Sequence, residues 1–226
     1  MATALLQART GSTRLPGKAL LPIGGRPMLY YSVAALKLSP AVSRIVLAVP
    51  DLRGDDPLEA LAAQWGIDCF RGDEEDVLAR FAAAAAEFPD RWYFRATGDN
   101  PLLDPGNPGR TLSRLVEAGA EYACETDMPL GTVVEAFTAA ALARCHREAK
   151  TARDREHVTL YMKESGTFAC RFFPAPEPFR HPDWRLTVDT PEDYRRDRRL
   201  LEALAGEGYP DFATVIETLS RHPDWR

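Results

Sequence analysis

Short apolar runs alternate with amphipathic stretches along most of the chain. The runs at 2–7, 44–49, 92–96 and 121–124 predict strands, and the stretches at 28–38, 56–64, 75–87 and 110–118 predict helices. The third helix is the best marked, with Asp73, Glu74 and Glu75 supplying first-turn acid and an alanine run at 82–86 in its middle. Strand and helix in strict alternation predict a mostly parallel sheet covered by helices on both faces. After Cys124 the texture changes to a Pro129-Leu130-Gly131 turn, helices at 138–149 and 156–163 and a strand at 167–173. This stretch reads as a small lobe closing over the sheet. A proline-rich connection at 174–178 then returns the chain to a final strand at 185–188 and a charged helix at 191–205. The expected layout is one domain over 1–226, with a core at 1–124, the lobe at 125–183 and the return strand and C-terminal helices at 184–226.

Composition narrows the class. A chain of 226 residues with 45% apolar and 27% charged residues can bury one sizeable core. A formal charge of −5 carries no overall footprint for nucleic acid or an anionic membrane. No apolar run approaches the roughly 20 residues that span a bilayer, and the first residues lack the pattern of a signal peptide, so a cytoplasmic protein is expected. Four scattered cysteines, none in a Cys-x-x-Cys pair, indicate neither a zinc site nor a disulfide framework. The hexapeptide at 180–185 recurs letter for letter at 221–226, and six residues are too few for a structural repeat unit. The surface bearing Trp184 leaves a homodimer contact open.

Candidate chemistry begins directly after the first predicted strand. Ala8, Arg9, Gly11, Ser12, Arg14 and Lys18 lie where open α/β sheets bind ligands, at the carboxyl end of a strand. Backbone N–H groups and three cations suit phosphate oxygens. There is no Gly-Lys-Ser/Thr ending and no Gly-x-Gly-x-x-Gly spacing, so neither an ATPase-type loop nor a dinucleotide fold is indicated. Residue types alone leave a polar surface turn as the alternative. Asp99, in the turn after the strand at 92–96, and Asp189, past the run at 185–188, are hard oxygen ligands suited to Mg²⁺. Each is equally at home capping a turn or helix.

Gln7 to Lys18 resembles the signature of sugar-activating cytidylyltransferases of the spore-coat polysaccharide biosynthesis protein F type, relatives of the CMP-Kdo synthetases. The resemblance continues through Phe70 to Leu78, Thr97 to Leu102, Asp154 to Thr159 and Arg185 to Tyr194. It implies a Rossmann-like nucleotide-diphospho-sugar transferase fold and CMP transfer from CTP to a sugar or sugar acid, with release of pyrophosphate. Arg9, Arg14, Lys18 and Asp99 would then be catalytic, and Asp99 with Asp189 would hold Mg²⁺. Ala8, Gly11, Ser12, Arg80, Thr97 and Gly98 would join the cations around the nucleotide. Gly131, Glu135, Arg155, Glu156 and His157 would meet the acceptor, with Glu135 facing the sugar. The chain departs from the family at Ala79, where relatives carry an aspartate before the arginine, and at Val133, where many carry another. A glycosyltransferase using a nucleotide-sugar donor and a non-catalytic nucleotide-binding subunit remain alternatives.

Overall fold

A computed structural model describes residues 1–204, 206 and 208–225. The predicted end of the charged helix at Ala205 and the last residue of the second hexapeptide, Arg226, lie outside the described residues. In chain order the elements are β1 (Ala2–Gln7), β2 (Pro22–Ile23), β3 (Arg26–Pro27), α1 (Met28–Leu38), β4 (Val42–Pro50), α2 (Asp56–Trp65), β5 (Asp68–Gly72), α3 (Val77–Glu87) and β6 (Trp92–Thr97). There follow α4 (Asn107–Glu117), β7 (Tyr122–Thr126), β8 (Glu135–Thr138), α5 (Ala139–Glu148), α6 (Ala152–Glu156), α7 (Leu160–Glu164), β9 (Cys170–Pro174), α8 (Pro191–Leu204) and α9 (Phe212–Arg221).

Seven strands form one sheet in the order β5-β4-β1-β6-β8-β7-β9, and β2 pairs with β3 as a small separate ribbon. Every pairing in the large sheet is parallel except those of β8, which runs against β6 and β7. Successive residues of a strand face opposite sides. Leu6 and Phe94 therefore pack with Leu29, Val33, Leu58 and Leu112 of α1, α2 and α4. Their neighbours Leu5 and Tyr93 pack with Phe81, Leu142 and Met162 of α3, α5 and α7. Burial on both faces is why these strands read as apolar runs rather than as alternating patterns. The result is a Rossmann-like, mostly parallel sheet between helical layers. A third cluster joins α8 and α9 to Met28, Leu102 and Trp184 beside the sheet. No helix among the described residues is long and apolar enough to cross a membrane.

Several expectations are corrected. The helix expected to begin at 75 begins at Val77, because the Asp76 carboxylate accepts from Ala79 N at 2.8 Å and so forms its cap. Of the helix expected at 156–163 only the second half forms, as α7; α6 ends at Glu156 and Val158 takes φ +56° between them. The return strand expected at 185–188 forms a single bridge, Arg185 to Leu130. Its backbone bonds to loops instead, with Leu186 N donating to Leu130 O at 2.7 Å and Val188 N to Asp99 O at 2.9 Å. The ribbon β2–β3 and two strands of the large sheet were not foreseen. Half-buried β5 interleaves Asp68 and Arg71 with apolar residues, and β8 is four residues long. Residues 125–183 supply β8 and β9 to the sheet itself.

The duplicated hexapeptide is one turn used twice. Trp184 N donates to His181 O at 3.0 Å, and Trp225 N to His222 O at 2.9 Å. Proline and aspartate in the middle favour that turn. Each tryptophan stacks on the histidine three residues back, with ring centroids 3.7 and 4.9 Å apart. Both turns pack on the third cluster, and Trp184 is only 9% exposed. Little of its ring is open to solvent.

Candidate functional site

A cleft of about 750 Å³ opens at the carboxyl ends of β1 and β6. The loop after β1 is folded around Thr10, whose N–H and hydroxyl donate to Asp55 Oδ1 at 2.7 and 2.9 Å. The Thr10 carbonyl in turn accepts from Ser12 N at 2.9 Å and Gly17 N at 3.0 Å. Asp55 is itself buried. On the other side the turn after β6 closes onto β1, with Gly98 N donating to Gln7 O at 2.8 Å. A Cβ at Gly98 would lie 2.8 Å from Leu29 Cδ1 and 3.0 Å from Ala8 Cβ, so only glycine permits this approach. Gly131 has φ +97°, and a Cβ there would meet Thr187 N at 2.8 Å. That glycine brings the turn before β8 against the segment carrying Asp189.

Three cations and two carboxylates converge at one end of the cleft. Lys18 Nζ lies 3.0 Å from Asp99 Oδ2 and 3.2 Å from Asp189 Oδ1, and donates to Val188 O at 2.8 Å. Asp189 also pairs with Arg14 at 2.9 Å and with Arg185. Burial by itself would raise the Asp189 carboxyl, but the Lys18 hydrogen bond and the charges of Lys18, Arg14 and Arg185 outweigh it and hold the pKa below the usual aspartate value. Asp189 is not the cap of α8. Thr190 and Asp193 fill that role reciprocally, Thr190 N donating to Asp193 Oδ2 at 2.9 Å and Asp193 N to Thr190 Oγ1 at 3.2 Å. Asp189 N also donates to Asp193 Oδ2 at 2.9 Å, which aims the carboxylate away from the helix.

Two carboxylate oxygens that already share one cation are a donor set suited to Mg²⁺, which takes one or two protein carboxylates. Among the described residues no cluster of three or more metal-ligating side chains occurs. Asp99 and Asp189 contribute two hard carboxylate oxygens to the cleft, bridged by Lys18.

Ala8, Thr97, Gly98 and Arg80 line the adjoining part of the cleft. Arg80 is buried, its Nη1 donating to the carbonyls of Asp73 and Glu74 while Nε has no partner among the described residues. Burial, and Arg9 nearby, push Arg80 down to about 10. Arg9 is exposed and makes no side-chain ion pair among the described residues.

For the remaining residues the sequence expectations divide. Gly131, Glu156 and His157 line the cleft, whereas Gly11, Glu135 and Arg155 do not. Arg155 donates to Asp76 Oδ2 at 2.6 Å and to the carbonyls of His146 and Ala149, tying α6 to the cap of α3. Glu135, expected to face an acceptor, is buried behind the cleft wall. Its Oε1 accepts from Tyr122 at 2.6 Å and Lys163 at 2.8 Å, and its Oε2 from Arg95 at 2.9 Å and Thr159 at 2.8 Å. Burial would raise this carboxyl, yet the charges of Arg95 and Lys163 and the hydrogen bonds win and bring it to about 2.

Sequence reasoning missed Gln7, Arg95, Asn100 and Arg185 in the lining and Asp55 as the loop's anchor. Arg95 had a signal, being the one charge inside the apolar run 92–96. Asp55 had none, since it reaches Thr10 across 45 positions.

A family model described as cytidylyltransferase matches residues 3–211. The chain is 37% identical to the spore coat polysaccharide biosynthesis protein SpsF of Bacillus subtilis over 97% of its own length and 94% of that protein. The solved cytidylyltransferase of Leptospira borgpetersenii superposes with a TM-score of 0.90 at 28% identity, covering 100% of this chain and 96% of that one. A CMP:2-keto-3-deoxy-manno-octonic acid synthetase solved with CTP superposes with a TM-score of 0.68 at 18% identity, over 89% and 98% of the two chains, a likeness of fold.

Proposed function

The chain belongs to the cytidylyltransferase family, and from that premise we propose that it transfers CMP from CTP to a hydroxyl of a sugar or sugar acid, with release of pyrophosphate, in polysaccharide biosynthesis. The observation that carries this reading is the convergence of Arg14, Lys18, Asp99 and Asp189 at a strand-end loop whose fold is pinned through Thr10.

The reaction forms a bond from the acceptor oxygen to the α-phosphorus as the bond to pyrophosphate breaks. Such steps depend on positioning and on neutralising charge spread over phosphoryl oxygens. Arg9, exposed and unpaired among the described residues, and Arg14, whose side chain is 66% exposed, are free to turn to the triphosphate. Lys18 has a flexible four-carbon stem and exchanges one anionic partner for another more readily than a planar guanidinium does. The Ser12 hydroxyl, which lines the cleft, adds a donor, and Ala8, Arg80, Thr97 and Gly98 frame the nucleoside. Asp99 and Asp189 would hold Mg²⁺, which when bound supplies Lewis-acid stabilisation of the phosphate oxygens. Gly131, Glu156 and His157 form the acceptor side, where the carboxylate and imidazole offer acceptors and donors to hydroxyls.

Thermal stabilisation by CTP, UTP, GTP and ATP, each with and without Mg²⁺, tests the reading, because a ligand of the native state raises its apparent stability. A response selective for CTP and enlarged by Mg²⁺, followed by acceptor-dependent pyrophosphate release, is expected. Absence of a CTP response, or a larger response to UDP-sugars run beside the triphosphates, would overturn it.

A further inference from the structure

Transfer of CMP to a hydroxyl frees the proton of that hydroxyl, and a base on the acceptor side would speed its removal. Of the four histidines in the chain only His157 lines the cleft. It is exposed, and no hydrogen bond or ion pair engages its imidazole among the described residues. Asp99 and Asp189 are already engaged by Lys18, Arg14 and Arg185. Glu74, Glu75 and Glu156 are exposed carboxylates on the same lining. Exposed carboxylates are weak bases at neutral pH, and their charge opposes that of a triphosphate. An imidazole suits general-base work in that range and takes the proton without setting another anion beside the nucleotide.

The backbone that carries this free side chain is held on both sides. Arg155, two positions before it, donates to Asp76 Oδ2 at 2.6 Å and to the carbonyls of His146 and Ala149 at 3.2 and 3.0 Å. Asp76 Oδ1 caps α3, the helix that carries Arg80. Thr159, two positions after it, is fully buried and donates to Glu135 Oε2 at 2.8 Å. Between His157 and Thr159, Val158 is fully buried at φ +56°, and Thr159 N donates back to His157 O at 2.6 Å. A three-residue turn with positive φ at its centre is strained, the more so for a β-branched residue. Such strain persists only where the surroundings over-determine it, and it gathers at active sites. A plain connecting loop needs no such fixing, whereas a group that must meet a reacting atom does.

Resting on the cytidylyl-transfer reading, we infer that His157 is the general base of the reaction, and that Arg155 and Thr159 are the residues that position it. An imidazole nitrogen takes the proton of the acceptor hydroxyl as the hydroxyl oxygen bonds to the α-phosphorus. The bond from that phosphorus to the bridging oxygen breaks, and its electron pair leaves with pyrophosphate. The imidazolium then gives its proton to solvent, to which the side chain is open.

Pyrophosphate release from CTP in the presence of 2-keto-3-deoxy-manno-octonate, N-acetylneuraminate, glucuronate or glucose supplies the assay. With an acceptor that the wild type uses, His157→Ala should lower kcat by about 10²–10⁴ while the calorimetric CTP affinity stays within about twofold. The side chain is exposed, so the variant keeps its fold. Free imidazole should raise the rate of that variant about 10-fold or more, and 4-methylimidazole, the stronger base, should raise it further. Thr159→Val should lower kcat without weakening CTP, and Thr159→Ser, which keeps the hydroxyl, should match the wild type. A His157→Ala enzyme within about threefold of the wild-type kcat overturns the inference and leaves the cytidylyl reading standing. A loss that neither imidazole repairs does the same. A wild type that releases no pyrophosphate with any of these acceptors overturns both. A Thr159→Val enzyme with wild-type kcat removes Thr159 from the positioning role.

Discussion

Two carboxylate centres, one in the cleft and one buried behind its wall, are each held by cations, but the bonds are of different kinds. Asp99 and Asp189 are 31% and 18% exposed and share Lys18 on its flexible stem, with the exposed Arg14 as a further partner. Glu135 is locked in a sheet ladder, with two donors on each oxygen. The first centre can exchange partners at little cost, because water and neighbouring cations compensate each change. The second cannot, because any donor removed leaves a buried charge short of hydrogen bonds. Charge pairing is common to both, and burial decides which is available for chemistry and which holds a wall in place.

Substitutions at the two centres should therefore separate activity from stability. Glu135→Ala should cost about 3–5 kcal/mol in urea unfolding, the range for breaking a buried ion pair. A loss below about 1 kcal/mol would make the Glu135 network peripheral. Asp99→Asn should instead lower kcat for pyrophosphate release by on the order of 10²–10³ while the unfolding midpoint hardly moves. Equal damage to stability and turnover at either position would erase the contrast.

Acid should reach the second centre late. Glu135 has a folded pKa of about 2 against an ordinary 4.5. A depressed acid contributes stability that is fully present above the unfolded value and is lost as pH falls from there through the folded value. The stability gap between wild type and Glu135→Gln should thus narrow by about 3 kcal/mol between pH 5 and pH 2, measured by denaturant unfolding. A constant gap would show that Glu135 is not held ionised by its donors.

Another buried carboxylate marks the opposite limit. Asp197 in α8 has a single donor, Arg196 Nε at 2.6 Å, and its Oδ2 has no partner among the described residues. Burial outweighs Arg196 and raises it to about 7 from 3.8. Its folded form holds the proton longer than the unfolded chain, so it costs stability increasingly as pH rises from about 4 through 7. Asp197→Asn should raise the melting temperature at pH 8 by the equivalent of about 1–2 kcal/mol and matter little at pH 4. A variant less stable than wild type at pH 8 would mean that the Arg196 pair, rather than desolvation, dominates there.

Much of this molecule was legible in the chain. The runs at 2–7 and 92–96 announced strands buried on both faces because leucine, tyrosine and phenylalanine occupy successive positions there. The cations of the loop after β1, and Asp99 beside a glycine, were visible as chemistry before any geometry. Less visible were β5 and β8, where a short half-polar edge strand and a four-residue strand lack a measurable period. The break at Val158 was hidden as well, since the sequence between Glu156 and Lys163 is ordinary for a helix. Tertiary hydrogen bonds to Glu135 override that propensity.

Local order along the chain determined the alternation of strands and helices, the strand-end loop, the glycine at 98 and the presence of two acids near strand ends. These follow from side-chain period and backbone sterics, which act within a few residues. Only the tertiary structure decided that Lys18 joins Asp99 to Asp189 across 81 and 171 positions. It alone decided that Thr10 hangs on Asp55, and that Glu135 faces inward to Arg95 rather than outward to a ligand. A carboxylate's environment depends on which donors the fold packs against it, and those donors come from strands and helices that no local pattern connects.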